Sequence, residues 1–324
     1  MTTSNGRYSY GPVPSRRLGK SIGINNIPAK ICTYSCIYCQ VGRTTGMPCD
    51  RRAFYEPDDI FRDVQNRLAA ARKASEHVDY LTFVPDGEPT LDVNLGKEIT
   101  LLKTLEVPVG VITNSSLLWH DDVKEELSRA DWVSLKIDTV QEHLWRQINR
   151  PHKAMRLSLI LDGILAFAST FAGKLVTETM LVRGMNDNED CMEETAEFLY
   201  RLRPVKVYLS IPLRPPMEKS AISPDEESLN RMFQILADKG NRVESLIGYE
   251  GDDFAFTGDV EKDLLSITAV HPMREEAVRT LLSRAGSSWE VVDRLVAQGD
   301  LAETEYDGHV FYLRKFTREG AAAP

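Results

Sequence analysis

The run Ile31-Cys32-Thr33-Tyr34-Ser35-Cys36-Ile37-Tyr38-Cys39 decides how the rest of the chain reads. It holds three of the five cysteines, spaced C-x3-C-x2-C. A thiolate is a soft ligand and selects zinc, copper(I) or iron–sulfur clusters. A structural zinc ion takes four protein ligands, and so does a fully ligated iron–sulfur cube. Three thiolates on one short loop can hold three corners of a 4Fe–4S cube and leave one iron open. Cys49 follows ten residues later and could complete a zinc site instead. The spacing alone is compatible with either metal centre.

The residues on either side narrow the choice. Tyr38 places an aromatic ring just before the third cysteine. Gly11-Pro12-Val13-Pro14-Ser15-Arg16-Arg17-Leu18-Gly19 and Ser21-Ile22-Gly23-Ile24-Asn25 lead into the loop, and Gln40-Val41-Gly42-Arg43-Thr44 leaves it. The cysteine spacing resembles the signature of the radical S-adenosylmethionine (SAM) enzymes, and the flanking runs are similar to their wyosine-synthase-like branch. The resemblance implies an α/β fold, an open partial (β/α)6 barrel. It implies a 4Fe–4S cluster on Cys32, Cys36 and Cys39, with SAM on the open iron. It also implies cleavage of SAM to a 5′-deoxyadenosyl radical that abstracts a substrate hydrogen, with electrons from a flavodoxin- or ferredoxin-type partner. For the substrate, this branch points to tRNA guanosine. Archaeal wyosine synthases hold a second cluster with cysteines upstream of the first, and residues 1–31 here contain none. A peptide- or protein-modifying radical enzyme, activases included, is therefore the alternative within the superfamily. A zinc-binding interaction protein without catalysis is the alternative outside it.

A chain of 324 residues can bury a large core or a barrel. Hydrophobic residues make up 42% and charged ones 27%, an ordinary globular balance. No apolar run approaches the roughly 18 residues of a membrane span, and residues 1–7 lack the apolar stretch of a secretory signal. Cysteines bunched at ligand spacing suit a reducing compartment, so the cytoplasm is the expected location. The net charge of −9 is unevenly spread. Residues 1–55 carry Arg7, Arg16, Arg17, Lys20, Lys30, Arg43, Arg51 and Arg52 against Asp50 alone. Such a stretch is either a solvated rim or an anion-attracting field around the metal loop. On the second reading Arg16, Arg17, Arg43, Arg51 and Arg52 bind substrate and draw a polyanion such as tRNA to the site.

Short strands alternate with helices along the chain. The patterns predict strands at 21–25, 80–84, 109–112, 132–137, 175–182 and 205–211. Helices are predicted at 58–76, 95–105, 121–129, 157–171 and 189–202, and from a cap at 223–226 to about 237. Such alternation implies a parallel sheet with right-handed crossovers. In barrels of this kind the chemistry sits at the C-terminal ends of the strands.

Polar motifs follow those ends. Pro85-Asp86-Gly87-Glu88-Pro89-Thr90 resembles the family's Gly-Gly-Glu-Pro segment, which assigns Gly87 and Glu88 to the SAM amino group. Asp86 stands where that pattern has glycine, and aspartate visits left-handed backbone more readily than most residues. Thr113-Asn114-Ser115-Ser116 resembles a Thr-Asn-Gly segment and puts Asn114 near the methionyl or ribose part of SAM; by itself it reads equally as an asparagine turn. Period-two alternation puts Ser134, Lys136 and Asp138 on one face. A lysine inside a strand needs a partner. That partner is either Asp138 or a ligand, and the resemblance assigns Lys136, with Ser134, to the SAM carboxylate. Arg183 is a candidate carboxylate or phosphate clamp, and Ile211 falls where the family places an apolar residue against adenine. Both join Tyr38 in the expected cofactor site. The loop ending at His152 reads as a connector, and Cys191, on a predicted helix, as a core residue.

Beyond residue 250 the pattern changes. Helices are predicted at 262–269 and 274–284, and Trp289, Val292, Leu295 and Val296 give a third its apolar stripe. Strands at 301–306 and 309–313 flank Asp307-Gly308, a type I′ hairpin signal. The expected division is a barrel over 1–250 and a winged-helix-like domain over 251–324. The third helix carries Glu290, Asp293 and Arg294, so DNA reading is not expected of it. Recognition of a macromolecular substrate or partner is.

Overall fold

The computed structural model describes residues 8–247, 251–252 and 254–315. Arg7, the rest of residues 1–7 and the expected boundary at 250 lie outside them. The chain opens with a hairpin, in which β1 (Ser9–Ser15) turns back antiparallel into β2 (Gly19–Ile24). From β2 onward helices alternate with parallel strands. α1 (Pro57–Lys73) leads to β3 (Tyr80–Phe83), α2 (Leu95–Lys103) to β4 (Val109–Thr113), and α3 (Asp121–Leu127) to β5 (Trp132–Lys136). Then α4 (Glu142–Ile148) and α5 (Leu157–Thr170) lead to β6 (Lys174–Met180), α6 (Glu189–Leu202) to β7 (Lys206–Ser210), and α7 (Glu226–Asp238) to β8 (Val243–Leu246). The eight strands lie side by side in chain order, β1 to β8. Among the described residues β8 forms no ladder with β1, so the barrel is partial, with an open seam.

Local chemistry accounts for the elements. α1 starts at Pro57 with Asp58 and Asp59 in its first turn and ends on Arg72 and Lys73, which suits the helix dipole. Its Ile60, Val64, Leu68 and Ala71 recur at helical spacing, and all are buried in the core. Ile60, Val64 and Leu68 each contribute about 1.5–3 kcal/mol on burial. α7 is capped by Asp225, whose side chain accepts from Ser228 N at 2.8 Å. The six predicted strands and their helices are all present, with ends within three residues of expectation. Barrel strands and α-helices the patterns did not reveal are β1, β8 and α4. Gly11, Pro12 and Pro14 interrupt β1, and proline is tolerated in sheets chiefly at an edge, where β1 lies. β8 has four residues and little burial, too few for alternation to register.

The last third adds α8 (Val260–Thr268), β9 (Met273–Arg274), α9 (Glu275–Arg284), α10 (Glu290–Gln298), β10 (Leu301–Tyr306) and β11 (His309–Arg314). β10, β11 and β9 form a separate antiparallel sheet. Asp307 and Gly308 have φ of 51° and 72°, as a type I′ turn requires. Leu264, Ile267, Leu281 and Leu295 of this unit share one core with Tyr10 and Val13 of β1. Ala255 N donates to Pro12 O at 3.1 Å. The unit is thus fused to the edge strand of the barrel. Among the described residues no helix is long and apolar enough to cross a membrane.

Candidate active site

The C-terminal ends of the parallel strands open into a cavity of about 280 Å³. Cys32, Cys36 and Cys39 line it from the loop that follows β2. That loop has little regular structure and is held by its neighbours' backbones. Lys30 N donates to Asp86 O at 2.8 Å, Glu88 N to Ile31 O at 3.1 Å, Cys32 N to Gly46 O at 3.0 Å and Ile37 N to Ile148 O at 2.9 Å. Gly87 makes the close approach possible, because a Cβ there would lie 1.9 Å from Ile31 O. All three cysteines are free thiols. Asn114 Nδ2 lies 3.5 Å from Cys32 Sγ, and Asn149 Nδ2 lies 3.4 Å from Cys36 Sγ. Burial pushes all three thiols up, and with Asp138 nearby it brings Cys36 to about 12.

Across the cavity the β5–β6 register sets Lys136 beside Glu178. Lys136 Nζ lies 3.2 Å from Glu178 Oε1, and Arg17 pairs with Oε2. Ser210 Oγ donates to the same Oε1 at 3.1 Å. Lys136 Nζ also sits 4.8 Å from the centre of the Tyr38 ring. The lysine's partner inside the strand layer is therefore Glu178 rather than Asp138. Asp138 is taken by Tyr38 Oη, by Asn149 Nδ2 at 2.6 Å and by Met180 N at 2.9 Å. Burial lowers the Lys136 pKa. Alternation along β6 could show that Glu178 faces the lumen; its pairing with Lys136 depends on strand register.

A family model of the radical SAM superfamily matches residues 26–199, more than half of the chain. The chain belongs to the radical SAM superfamily. Among curated proteins it is 47% identical to the UPF0026 protein of Methanocaldococcus jannaschii, over 94% of this chain and 95% of that one. It is 37% identical to a UPF0026 protein of Synechocystis, over 65% and 77% of the two chains. A radical SAM methyltransferase from Sphaerobacter thermophilus shares the fold with a TM-score of 0.54 at 16% identity, covering 70% of this chain and 66% of that one. TYW1, solved with a lysine–pyruvate adduct bound, gives a TM-score of 0.52 at 16% identity, covering 68% and 75%. At these identities the structures show a common fold.

Radical SAM enzymes use a 4Fe–4S cluster and SAM and generally need a reductant, and this chain is an enzyme of that kind. Its donor set fits the cluster. Three thiols share one loop, with amide donors turned toward two of the sulfurs. Among the described residues no three His, Cys, Asp or Glu side chains gather round a point that one metal ion could occupy. A cube spreads its thiolates over separate irons. Cys49 does not line the cavity of the three thiols. Its Sγ lies 2.7 Å from His152 Nδ1, and it lines a different cavity together with His120. Cys191 is fully buried on α6 with Thr139 Oγ1 3.2 Å away.

The other expected radical SAM residues fall into three groups. Gly87, Tyr38, Lys136 and Ile211 line the cavity. Asn114 is outside that lining, but its Nδ2 lies 3.5 Å from Cys32 Sγ and donates to Thr33 Oγ1 at 2.8 Å. Glu88, Ser134 and Arg183 do not line it. Glu88 is 1% exposed and accepts from Thr90 N, Thr90 Oγ1, Thr113 Oγ1 and Asn114 N at 2.6–3.1 Å. Its carboxylate ties the loops after β3 and β4 together. Ser134 is buried on β5, and Arg183 is exposed after β6.

The basic stretch does not form one rim. Arg16 and Arg17 lie inside the cavity. Arg16 Nη1 donates to Leu246 O, so this side chain spans the seam from the β1–β2 turn to the end of β8. Arg51 departs from expectation altogether. Its side chain is 6% exposed, paired with Asp122 and Glu126, and bonded to Thr90 O and Asp92 O at 2.8 Å. It is a strut between loops, because two carboxylates of α3 outcompete solvent for it. Arg43 and Arg52 are exposed, the latter 4.8 Å from the Phe54 ring centre. One contribution to the site has no signal in the sequence. Val270, just after α8, lines the cavity, and Arg214 links Gln40 of the cysteine loop (2.9 Å) to His271 (3.0 Å).

Proposed function

We propose that this radical SAM enzyme modifies RNA, taking a hydrogen atom from a tRNA nucleotide that projects into the cavity. The observation that carries the reading is the presence of Arg16 and Arg17 in the same cavity as the three thiols. Cys32, Cys36 and Cys39 hold the cluster. With SAM and an electron from a flavodoxin- or ferredoxin-type partner, that group would supply hydrogen-abstracting radical chemistry. Lys136 takes the SAM carboxylate in exchange for Glu178, the backbone at Gly87 takes the amino group, and Ile211 packs on adenine. A cavity of about 280 Å³ sits at the lower limit of single-ligand pockets, roughly 300–1,000 Å³. SAM alone takes up a space of that size, so a substrate reaches it only by a group presented at the cavity mouth. That favours a macromolecule whose body stays outside, with its base splayed out. Arg43 and Arg52 then hold phosphates, and the 251–324 unit, winged-helix-like in its order of elements, supports the RNA body.

Two experiments test this reading. tRNA binding should weaken with salt along a log–log slope of about −0.7 per phosphate contacted on a single strand. Arg43→Glu with Arg52→Glu should make that slope shallower and lower the affinity, at unchanged iron content. Undetectable tRNA binding at low salt would transfer the reading to a peptide or protein substrate. Separately, Lys136→Met should weaken SAM binding about tenfold or more, since a charge-assisted contact contributes about 1.5–3 kcal/mol. The cluster should remain intact. An unchanged SAM affinity would place the carboxylate elsewhere.

A further inference from the structure

A carboxylate acts on each cysteine of the loop. Beyond burial, the leading cause in each case, Glu88 raises the Cys32 thiol, Asp138 that of Cys36 and Asp86 that of Cys39. Glu88 is met by neutral donors from Thr90, Thr113 and Asn114, and Asp138 by Tyr38, Asn149 and the Met180 amide. Asp86 is met differently. It is 4% exposed, and its Oδ2 lies 2.7 Å from Lys30 Nζ. Both side chains line the cavity that Cys39 also lines, and Lys30 has the opposite effect to Asp86 on that thiol. The backbone already clasps this corner, with Lys30 N on Asp86 O and both Thr45 N and Gly46 N on Lys30 O. The side-chain pair is therefore not needed to close the loop. Asp86 also stands where the similar family segment has glycine, so this chain has a charge where that pattern has none.

We propose that the Lys30–Asp86 ion pair sets the electrostatic potential at the Cys39 corner of the cluster and thereby its reduction potential. The proposal rests on the reading that the three cysteines hold a 4Fe–4S cluster. Reduction adds one negative charge to the cluster. A buried carboxylate nearby opposes that charge and a buried ammonium favours it, and little solvent is present to screen either. Charge and hydrogen bonds around the sulfurs are the usual levers on such potentials. Asp86 keeps the reduced cluster a strong donor toward SAM. Lys30 keeps the potential within reach of an external reductant. Both are positioning residues in this sense, acting on the cluster through space.

The test is a redox titration of the reconstituted protein, without SAM, followed by the electron paramagnetic resonance of the reduced cluster. Wild type, Asp86→Asn, Lys30→Met and the double variant are compared at pH 8. Burial brings the Asp86 carboxyl up to about 6, with Lys30 opposing, so it is ionised there. Asp86→Asn should raise the potential, Lys30→Met should lower it, and the double variant should return close to wild type. Lys30→Arg keeps the charge and should hold the wild-type value. Shifts of the same sign in the two single variants, or no shift in either, overturn the proposal. So does loss of the cluster in both, which would make the pair a structural clasp. A wild-type protein that takes up no iron and sulfide fails the underlying cluster reading instead, so the two failures are distinguishable.

Discussion

Replacing Cys32, Cys36 or Cys39 singly with alanine should abolish the iron–sulfur absorbance and all 5′-deoxyadenosine formation, whereas Cys49→Ala and Cys191→Ala should retain both. The geometry gives the reason. The first three thiols line one cavity on one loop. The nearest substitute ligand by sequence, Cys49, is engaged with His152 and faces another cavity. Cys191 is locked in the core of α6. A cluster that has lost one of three thiolates has no fourth to fall back on. Iron and sulfide analysis after anaerobic reconstitution, with chromatography of the SAM products, reads the result. Retention of a full cluster in Cys36→Ala, or its loss in Cys49→Ala, would show that the ligand set is wrong.

Glu88→Ala should be the most destabilising single change at the site after the cysteines. The carboxylate accepts four hydrogen bonds in a fully buried position. Removing it leaves Thr90, Thr113 and the Asn114 amide without acceptors. Each buried donor left unsatisfied costs about 1–3 kcal/mol, so a loss of about 4 kcal/mol or more is expected. Asn114 and Gly87 flank this knot, so SAM affinity should also fall by about tenfold or more. Denaturant unfolding and SAM titration of the reconstituted protein measure the two effects. Glu88→Gln keeps the shape but turns an amide N–H₂ toward donors, so it should fall between wild type and alanine. Wild-type stability in Glu88→Ala would mean that the knot around the carboxylate contributes nothing to the fold.

The role of Glu88 illustrates how far a motif carries. Its position in Gly87-Glu88-Pro89 after β3 was legible, because motif spacing and strand ends are local features. Its placement behind the cavity wall was not, because two of its four donors, Thr113 and Asn114, come from the end of β4 and the residue after it. The same holds for the basic stretch. Eight cations near the cysteines are visible in the sequence. Their division is not. Arg51 is drawn onto Asp122 and Glu126 of α3, some seventy residues away. The β1–β2 hairpin instead carries Arg16 and Arg17 into the lumen.

The sequence by itself determined the alternation of strands and helices, the parallel sheet and the loop that holds three thiols. Those follow from side-chain period and residue spacing, which act over a few residues. Only the tertiary structure decided that Lys136 meets Glu178, since that pairing depends on the register of β5 against β6. It also decided that Asp138 serves Tyr38 and Asn149, and that Cys49 turns to His152. The fusion of the last third to β1 has the same origin. Tyr10 and Val13 lie on a strand broken by prolines, yet they share a core with α8 and α9. Contacts between segments far apart in the chain are settled by which surfaces bury together, and no local pattern encodes that choice.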